Sequence, residues 1–423
     1  MSNYLLALDL MLFLSIVAVA SHVSNHNPLG LSISQQRVDA WSNSTNHLIC
    51  EPYESPFFSA SKRSVYKYDQ VVPPSHLEPF RDGFYRSTCF QNPIPDEHPQ
   101  EYCIFINPTI NHGQGMVIVT PTKLFEDSLD QGLNLSDDPP SPRVLKVVPM
   151  PEKGGVGALA ARKLQRGDDV DNARPIGLFP CVKAIWNTPF GRIIRRQAVD
   201  HLPLQTRAAV ASLYGEGETQ DEFISNAIEA NMFTAILPAD RSLYFGSVVL
   251  TPARLNHACR PNLVYYVDHD TQLLHLKAIQ PIAEGEELTI NYRSIELPRE
   301  VRRADLKSLY GFNCTCSHCQ MSAELGKISD QRLSQIRALR TRYLHQDPSF
   351  SSQDAEELVN LCKIEKVPWC ITIANLFAAE IYNSLGKMQK VKEHAQEAKI
   401  MGLLLAGPSG TYYNNPAQDI QGL

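Results

Sequence analysis

Three cysteines at the spacing Cys314-x-Cys316-x-x-Cys319 constrain this chain most, because thiolates spaced in this way are typical metal ligands. A closed tetrahedral zinc site needs a fourth ligand. Cys259, in the upstream segment Asn-His-Ala-Cys-Arg-Pro-Asn at 256–262, can supply it. Disulfides are the alternative, although cysteines one residue apart seldom bring their sulfur atoms to an unstrained geometry. A shared metal would tie two segments that are distant in sequence into one pocket.

His318 lies between two of the predicted ligands. A histidine can replace a cysteine as a zinc ligand. Its position between Cys316 and Cys319 nevertheless favours a place at the surface.

The size and charge of the chain exclude some functions. A chain of 423 residues is long for one hydrophobic core, which predicts two or three units. Its net charge is −6, and hydrophobic residues make up 43% of it, as in ordinary globular proteins. A nucleic-acid-binding protein usually shows clustered Lys and Arg. We therefore expect no direct nucleic acid binding.

Residues 1–20 resemble a signal peptide. The stretch from 10 to 20 is apolar except for Ser15 and ends in Ala-Val-Ala, a small-residue cleavage pattern. It is too short for a membrane span, and Asp9 precedes it. The triplets at 43–45 and 134–136 are glycosylation acceptors that fit a glycoprotein. These features predict the secretory pathway or secretion. If residues 1–20 form an ordinary N-terminal helix instead, the predicted location is the nucleus or cytoplasm.

The other cysteines divide into two groups. Cys362 and Cys370 fall in a helical tail and are expected in its core. The remaining ones would form disulfides in an oxidising lumen or stay buried as free thiols: Cys50, Cys89, Cys103 and Cys181.

Short strands are expected in the N-terminal region, residues 21–141. Apolar runs at 102–106 and 116–119 are set off by prolines and turn residues. The sequence Asp-Asp-Pro-Pro-Ser-Pro at 137–142 then predicts a linker, and with it a domain boundary.

The next region, residues 142–294, combines strands with a helical insert. Apolar runs on either side of a glycine turn at 154–157 predict a β-hairpin. Helical periodicity predicts the insert at 204–214 and 220–231. Further strands are expected at 263–267, 273–279 and 288–292.

Helices dominate the rest of the chain. Within the cysteine segment, 295–322, Pro298 can begin a helix that runs to about Tyr310, since proline at the first helical position loses no hydrogen bond. In the C-terminal region, 323–423, helices are expected at 330–344, 353–365 and 371–405. Such a helical region offers a surface for a partner.

Three motifs stand out in this chain: Asn-His-x-Cys-x-Pro-Asn, Glu-Leu-x-x-x-Tyr and Gly-Phe-x-Cys-x-Cys-x-x-Cys. Together they resemble the SET domain of protein lysine methyltransferases with its post-SET cysteine segment, and the resemblance extends over residues 144–319. It implies a mainly β SET domain of small sheets with a pseudoknot and a helical insert. A short-strand region would precede this domain and an α-helical region would follow it.

The resemblance also has a limit. The C-terminal helices are similar to those of the SET and MYND group, but only Cys181 lies between Gly157 and Asn256, so no MYND zinc finger interrupts the domain. SET proteins with such an apolar N-terminus resemble a fungal type.

The resemblance implies two cofactors, S-adenosylmethionine and Zn²⁺. A glycine turn would let the backbone approach the methionine part of S-adenosylmethionine. Asn256 and His257 would hold its amino group and adenine, and Phe312 would pack on the adenine ring. The implied cofactor-binding residues are Gly155, Val156, Gly157, Asn231, Asn256, His257, Tyr292 and Phe312, and the implied metal ligands are Cys259, Cys314, Cys316 and Cys319.

Tyr292 is the catalytic residue that the resemblance implies, with Tyr310 as a wall of the lysine channel. Such a site transfers a methyl group to an exposed lysine of a protein substrate, mainly by positioning the amine in a dry channel. The lysine pKa of about 10.4 must fall so that the amine is neutral. The alternatives are a non-catalytic SET-fold binding protein, secreted or a scaffold, and an accessory methyltransferase of specialised metabolism.

Overall fold

The computed structural model describes residues 77–93, 101–136, 144–186 and 188–408. The predicted signal peptide, the triplet at 43–45, Cys50 and the predicted linker lie outside the described residues. The described residues form two compact units, one of 77–293 with 300–316 and one of 294–299 with 317–408. Among them, no helix has the length and apolar character needed to cross a membrane.

The first unit is mainly β. Its strands are β1 (Glu78–Pro79), β2 (Tyr85–Gln91), β3 (Glu101–Asn107), β4 (Met116–Thr120), β5 (Leu145–Met150), β6 (Gly155–Ala160), β7 (Asp169–Ala173), β8 (Gly177–Pro180), β9 (Met232–Leu237), β10 (Asp240–Val248), β11 (Asn256–His257), β12 (Leu263–Val267), β13 (Leu274–Ala278) and β14 (Glu287–Ile290).

These strands form three sheets. The largest has the order β1-β2-β3-β4-β8-β10-β9, the second β11-β14-β6-β5, and the third β12-β13-β7. The largest sheet therefore joins strands from before and after the predicted linker. Its central strands β3, β4 and β8 are mostly apolar and almost entirely buried, as expected for strands covered on both faces. In β3, Phe105 packs into one buried cluster, whereas Ile104 and Ile106 pack into another.

The helices of the first unit are α1 (Thr122–Asp130), α2 (Lys183–Trp186), α3 (Pro189–Asp200), α4 (Leu204–Ala211), α5 (Gln220–Asn231) and α6 (Arg299–Tyr310). The predicted insert corresponds to α4 and α5, and α5 begins at a capping box formed by Thr219 and Glu222. The helices α1, α2 and α3 were not predicted from the sequence. The helix α3 begins at Thr188, whose side chain accepts a hydrogen bond from the Gly191 amide.

The predicted hairpin is present as β5 paired with β6, but the position of its turn was wrong. The chain turns through a short 3₁₀ helix, Pro151–Lys153, and through Gly154, which has φ +76°. Gly155 and Gly157 belong to β6 instead. Gly157 serves close packing rather than a turn, because a Cβ there would collide with Met150 Sδ and lie 2.6 Å from Asn256 Nδ2.

The second unit is helical, with α7 (Ala323–Leu344), α8 (Ser352–Ile364), α9 (Pro368–Ser384) and α10 (Met388–Ala406). The prediction of one helix over 371–405 was wrong. The helix ends near Gly386, whose φ of +68° suits a residue without a side chain. The predicted fold class, a mainly β domain with a helical insert and a helical C-terminal region, is confirmed.

Several cysteines are joined in disulfides. Cys89 and Cys103 lie opposite each other on β2 and β3 and form a disulfide, and Cys181 is also disulfide-bonded. Cys362 and Cys370 are buried, as predicted, and link α8 to α9. Of the two open alternatives for the N-terminal cysteines, the structure therefore shows disulfides at the described positions.

Candidate functional site

Four cysteines distant in sequence lie together. The sulfur atoms of Cys259, Cys314, Cys316 and Cys319 all lie within 4.8 Å of one another. None of the four is in a disulfide, and only Cys316 is partly exposed. A tetrahedral zinc with Zn–S bonds of about 2.3 Å implies sulfur separations of about 3.8 Å. The donor set and its spacing therefore fit Zn²⁺, and we call these four residues the cysteine cluster.

The strand β11 brings Cys259 to this position. Asn256 and His257 form β11, which pairs in parallel with β14 in the register Asn256 to Thr289 and His257 to Ile290. The next amide, of Ala258, donates to the Ile290 carbonyl at 2.9 Å. Because Tyr292 follows β14 by two residues, this register sets the Asn-His motif beside it.

The buried imidazole of His257 spans the gap between Cys259 and Tyr292. Its Nδ1 accepts a hydrogen bond from the Tyr292 backbone N–H at 2.9 Å, and its Nε2 lies 3.3 Å from Cys259 Sγ. Protein groups therefore engage both ring nitrogens. The backbone of His257, rather than its ring, is the part available for hydrogen bonds to a ligand.

Asn256 ties three strands together. Its Nδ2 donates to the Val156 carbonyl on β6 at 3.2 Å and to Glu287 Oε1 on β14 at 3.0 Å. The predicted glycine segment therefore lies next to the Asn-His motif. A Cβ added at Gly155 would meet no atom within 4 Å, so the backbone there faces open space. That space leaves room for a ligand against the strand.

Tyr292 is held at both ends. Its hydroxyl donates to the Leu255 carbonyl at 2.5 Å, and its amide donates to His257. Burial raises the pKa of the Tyr292 hydroxyl above its ordinary value, with smaller contributions from Tyr310 and Glu287. The side chain is therefore a neutral phenol at physiological pH, suited to hydrogen bonding and not to proton removal.

Tyr310 and Phe312 complete an aromatic cluster around Tyr292. The Tyr292 ring lies 5.1 Å from that of Tyr310 and meets the Phe312 ring edge-on at 6.3 Å, and both separations are typical of aromatic pairs. Burial raises the pKa of Tyr310 to about 12. Tyr310 ends α6, which is anchored by two bonds from Arg293 to Asp305. The structure thus brings together all three aromatic residues predicted for the site.

Asn231, at the end of α5, has its donor group engaged elsewhere. Its Nδ2 donates to the carbonyls of Tyr214 at 2.7 Å and Ala227 at 2.8 Å. Only its Oδ1 is left to accept a hydrogen bond from a ligand. The predicted cofactor contact of Asn231 stays a prediction.

Some residues of the site carry no signal in the sequence, and one lies elsewhere than predicted. Leu255, whose carbonyl holds Tyr292, carries no side-chain signal that could have revealed it. Asp305 lies in a helix with no motif around it. His318 was expected at the surface and is 4% exposed, which corrects that prediction. Its Nε2 lies 3.5 Å from Ser329 Oγ, so a polar partner accompanies its burial.

Comparison with known proteins identifies relatives of this chain. The model of the SET domain family matches residues 46–293. The chain is 28% identical over 224 residues to the histone-lysine N-methyltransferase Smyd1 of Mus musculus, a match that covers 46% of this chain and 45% of the relative. It is 27% identical over 201 residues to the histone-lysine N-methyltransferase set5 of Schizosaccharomyces pombe, a match that covers 47% of this chain and 58% of the relative.

A shorter match, 31% identical over 116 residues and covering 26% of each chain, is to the N-lysine methyltransferase SMYD2-B of Xenopus laevis. The chain spans about half the length of the curated relatives that it matches over more than 200 residues.

Proposed function

This chain belongs to the SET domain family, and on that premise we propose that it transfers a methyl group from S-adenosylmethionine to a lysine side chain of a protein substrate. One observation carries the proposal. The parallel pairing of β11 with β14 sets the Asn-His motif beside Tyr292, and the rings of Tyr292, Tyr310 and Phe312 meet in the same place. Lysine methylation requires such a combination of a cofactor site and a dry aromatic channel.

The residues present fit S-adenosylmethionine, which when bound supplies an electrophilic methyl group on a sulfonium. The open space in front of Gly155 would admit the methionine part against the β6 backbone. Asn256 and the backbone of His257 would hold its polar groups. Phe312, which is partly exposed, would pack on the adenine ring.

Tyr292 and Tyr310 would position the lysine amine. Their rings exclude water, which favours the neutral amine that the reaction needs. Because the pKa of each phenol is raised, neither tyrosine takes the proton, and the amine would lose it to solvent before it enters the channel. The nitrogen lone pair would then form the new N–C bond as the S–CH₃ bond breaks. The two residues contribute orientation, as a positioning mechanism requires.

The cysteine cluster would hold a structural Zn²⁺. A closed four-thiolate site leaves no open position for a substrate, so the metal would act by fixing the chain. Cys314 is two residues from Phe312, and Cys259 is two residues from His257. Metal binding would therefore order both sides of the cofactor site.

Calorimetry on the reduced, zinc-loaded protein tests this function. We expect S-adenosylmethionine to bind, and the Tyr292→Phe variant to bind it with similar affinity, because the hydroxyl bonds to Leu255 within the protein. The absence of measurable affinity would exclude the enzyme and favour a SET-fold binding protein. Product mass spectrometry with protein and small-molecule pools separates lysine methylation from an accessory role in specialised metabolism.

We also propose that the chain passes through an oxidising compartment. The disulfides Cys89–Cys103 and Cys362–Cys370 support this, since such bonds are rare in reducing compartments. The side chain of Asn134, in a glycosylation triplet, is exposed. Alkylation of the freshly isolated protein, followed by peptide mass spectrometry, should find these four cysteines unmodified until a reductant is added. Their immediate alkylation would place the protein in the nucleus or cytoplasm instead.

A further inference from the structure

The hydrogen bonds of His257 fix which ring nitrogen carries its proton. A backbone N–H can only donate, so the bond from Tyr292 makes Nδ1 an acceptor. A neutral imidazole has one protonated nitrogen, and that nitrogen must then be Nε2. Nε2 lies 3.3 Å from Cys259 Sγ, within the range of an N–H···S hydrogen bond. His257 therefore donates to the sulfur of one predicted metal ligand while it accepts from the backbone of Tyr292.

A thiolate is a better acceptor for this bond than a thiol, because the acceptor is charged. The other cysteines of the cluster surround the same sulfur within 4.8 Å. A metal held by the cluster would fix the Cys259 sulfur in place, and with it the acceptor of the bond from His257. Groups that hydrogen-bond to a metal ligand orient it and tune the metal site.

The second bond of His257 acts on the backbone at Tyr292. Tyr292 lies two residues beyond the end of β14, so its amide bonds to the imidazole instead of to the neighbouring strand. Two bonds therefore fix Tyr292: its phenol donates to the Leu255 carbonyl, and its amide donates to His257. The imidazole is 6% exposed and has little freedom to move.

We infer that His257 is a positioning residue that connects the Cys259 sulfur to the backbone of Tyr292, so that metal loading of the cysteine cluster sets the position of the phenol. The cofactor is not needed for this connection, because both bonds lie within the protein. The role of Tyr292 in methyl transfer rests on the function proposed above. The connection itself can be tested without substrate or cofactor.

Two substitutions separate the two bonds, because the amide of asparagine reaches the place of Nδ1 and the amide of glutamine reaches the place of Nε2. His257→Asn keeps an acceptor for the Tyr292 amide and loses the donor to Cys259. His257→Gln keeps the donor and loses the acceptor. His275→Gln, on the three-stranded sheet, is the control for replacing a partly buried histidine.

In the protein loaded with Co²⁺, we expect His257→Asn to move the thiolate-to-metal charge-transfer band to longer wavelength, because the sulfur loses a hydrogen bond. Its zinc affinity should fall by about 10- to 100-fold. His257→Gln and His275→Gln should leave both readouts near the wild-type values. An unchanged band and an unchanged zinc affinity in His257→Asn would overturn the inference.

Hydrogen exchange of the Tyr292 amide reports on the other bond. We expect His257→Gln to speed this exchange by roughly five- to tenfold, as the loss of one hydrogen bond predicts. In the wild-type protein, removal of the metal should speed it too, whereas in His257→Asn the rate should no longer depend on the metal. A Tyr292 amide whose exchange is equal with and without metal in the wild type would overturn the inference, even if the protein proves to be a methyltransferase.

Discussion

At the scale of the residue, Tyr292 carries the proposed chemistry through two bonds that the chain provides. Its hydroxyl donates to the Leu255 carbonyl and its amide to His257. The first bond orients the phenol, and burial keeps it neutral because it raises the pKa of the hydroxyl. The oxygen can then accept a hydrogen bond from the amine or contact the methyl group, while its own proton points to the Leu255 carbonyl.

Tyr292→Phe should therefore lower the turnover number by about a hundredfold, the order of loss expected when a reacting group is misplaced. Zinc content and cofactor affinity should match those of the wild type. Steady-state kinetics, with zinc measured on the same samples, check this. Tyr310→Phe is the matched control, since its hydroxyl makes only a long bond of 3.5 Å to the Tyr292 carbonyl and its loss should cost less. Equal turnover of Tyr292→Phe and the wild type would remove Tyr292 from the mechanism.

The raised pKa of Tyr310 predicts a pH dependence of stability. Its folded pKa of about 12 exceeds the ordinary value of 10.0, so the folded state holds the proton more tightly. The stabilisation from this group is therefore fully present below pH 10 and is lost as the pH rises towards 12. Denaturant unfolding over this range should show a smaller loss of free energy in Tyr310→Phe. If the free energy of unfolding depends on pH in the same way in the variant and the wild type, the assigned burial of Tyr310 is wrong.

The residue types of the site were accessible from sequence, but most of their contacts were not. The spacing of the cysteines predicted that Cys259 joins the other three, and their sulfur atoms do lie together. The bond from His257 to Cys259 depends on the register of β11 against β14, which no local pattern encodes. The burial of His318 was missed for a similar reason, because its partner Ser329 lies on a later helix.

At the scale of the element, strands and helices with clear periodicity were predicted well. The predicted bounds of β12 and α5 agree with the structure. The helix α1 was missed because it begins after Pro121 with no side-chain cap and carries no acidic residue in its first turn. The break between α9 and α10 depends on Gly386, and a single glycine inside an apolar pattern does not by itself reveal the end of a helix.

The strand β6 gives a matched pair of glycine substitutions. Gly157→Ala would place a Cβ against Met150 Sδ and 2.6 Å from Asn256 Nδ2. Because Asn256 is held by bonds to Val156 and Glu287, we expect the substitution to lower the free energy of unfolding by about 1–3 kcal/mol, as overpacking does. Gly155→Ala meets nothing within 4 Å and should be nearly as stable as the wild type. It should nevertheless weaken cofactor binding, because the methyl group occupies the open space.

Chemical denaturation and calorimetry measure the two effects of these glycine substitutions. A Gly157→Ala protein as stable as the wild type would show that the Asn256 side chain is not held against β6. Unchanged cofactor affinity in Gly155→Ala would exclude the proposed place of the methionine part.

Zinc binding and the stability of the protein should depend on every segment that contributes a residue to the cysteine cluster. Cys259→Ser and Cys316→Ser should each release zinc and destabilise the protein to a similar extent, because either change leaves three thiolates. Metal analysis and thermal unfolding of both variants check this. Zinc loss in Cys316→Ser alone would mean that Cys259 is not a ligand.

At the scale of the whole molecule, the described cysteines fall into two chemical states. The four of the cysteine cluster are not in disulfides, whereas the other described cysteines are. The split follows geometry, since the cluster gathers four sulfur atoms around one point whereas Cys89 and Cys103 face each other on paired strands. A metal would protect the cluster from oxidation in the compartment that the disulfides indicate.

Removal of the metal from the native protein should therefore make the cluster newly reactive. After treatment with a chelator, we expect an alkylating reagent to modify Cys259, Cys314, Cys316 and Cys319, and to leave the disulfide cysteines untouched until they are reduced. Peptide mass spectrometry identifies the modified positions. Full alkylation of these four cysteines before any chelator is added would show that no metal occupies the cluster.

The central claim is lysine methylation by the site around Tyr292, and isotope transfer tests it most directly. The zinc-loaded protein is incubated with a protein pool and S-adenosylmethionine that carries an isotope-labelled methyl group, and the products are analysed by peptide mass spectrometry. The account predicts labelled lysine side chains with the wild type and few or none with Tyr292→Phe. No labelled lysine with the wild type, or equal labelling by both proteins, would contradict it.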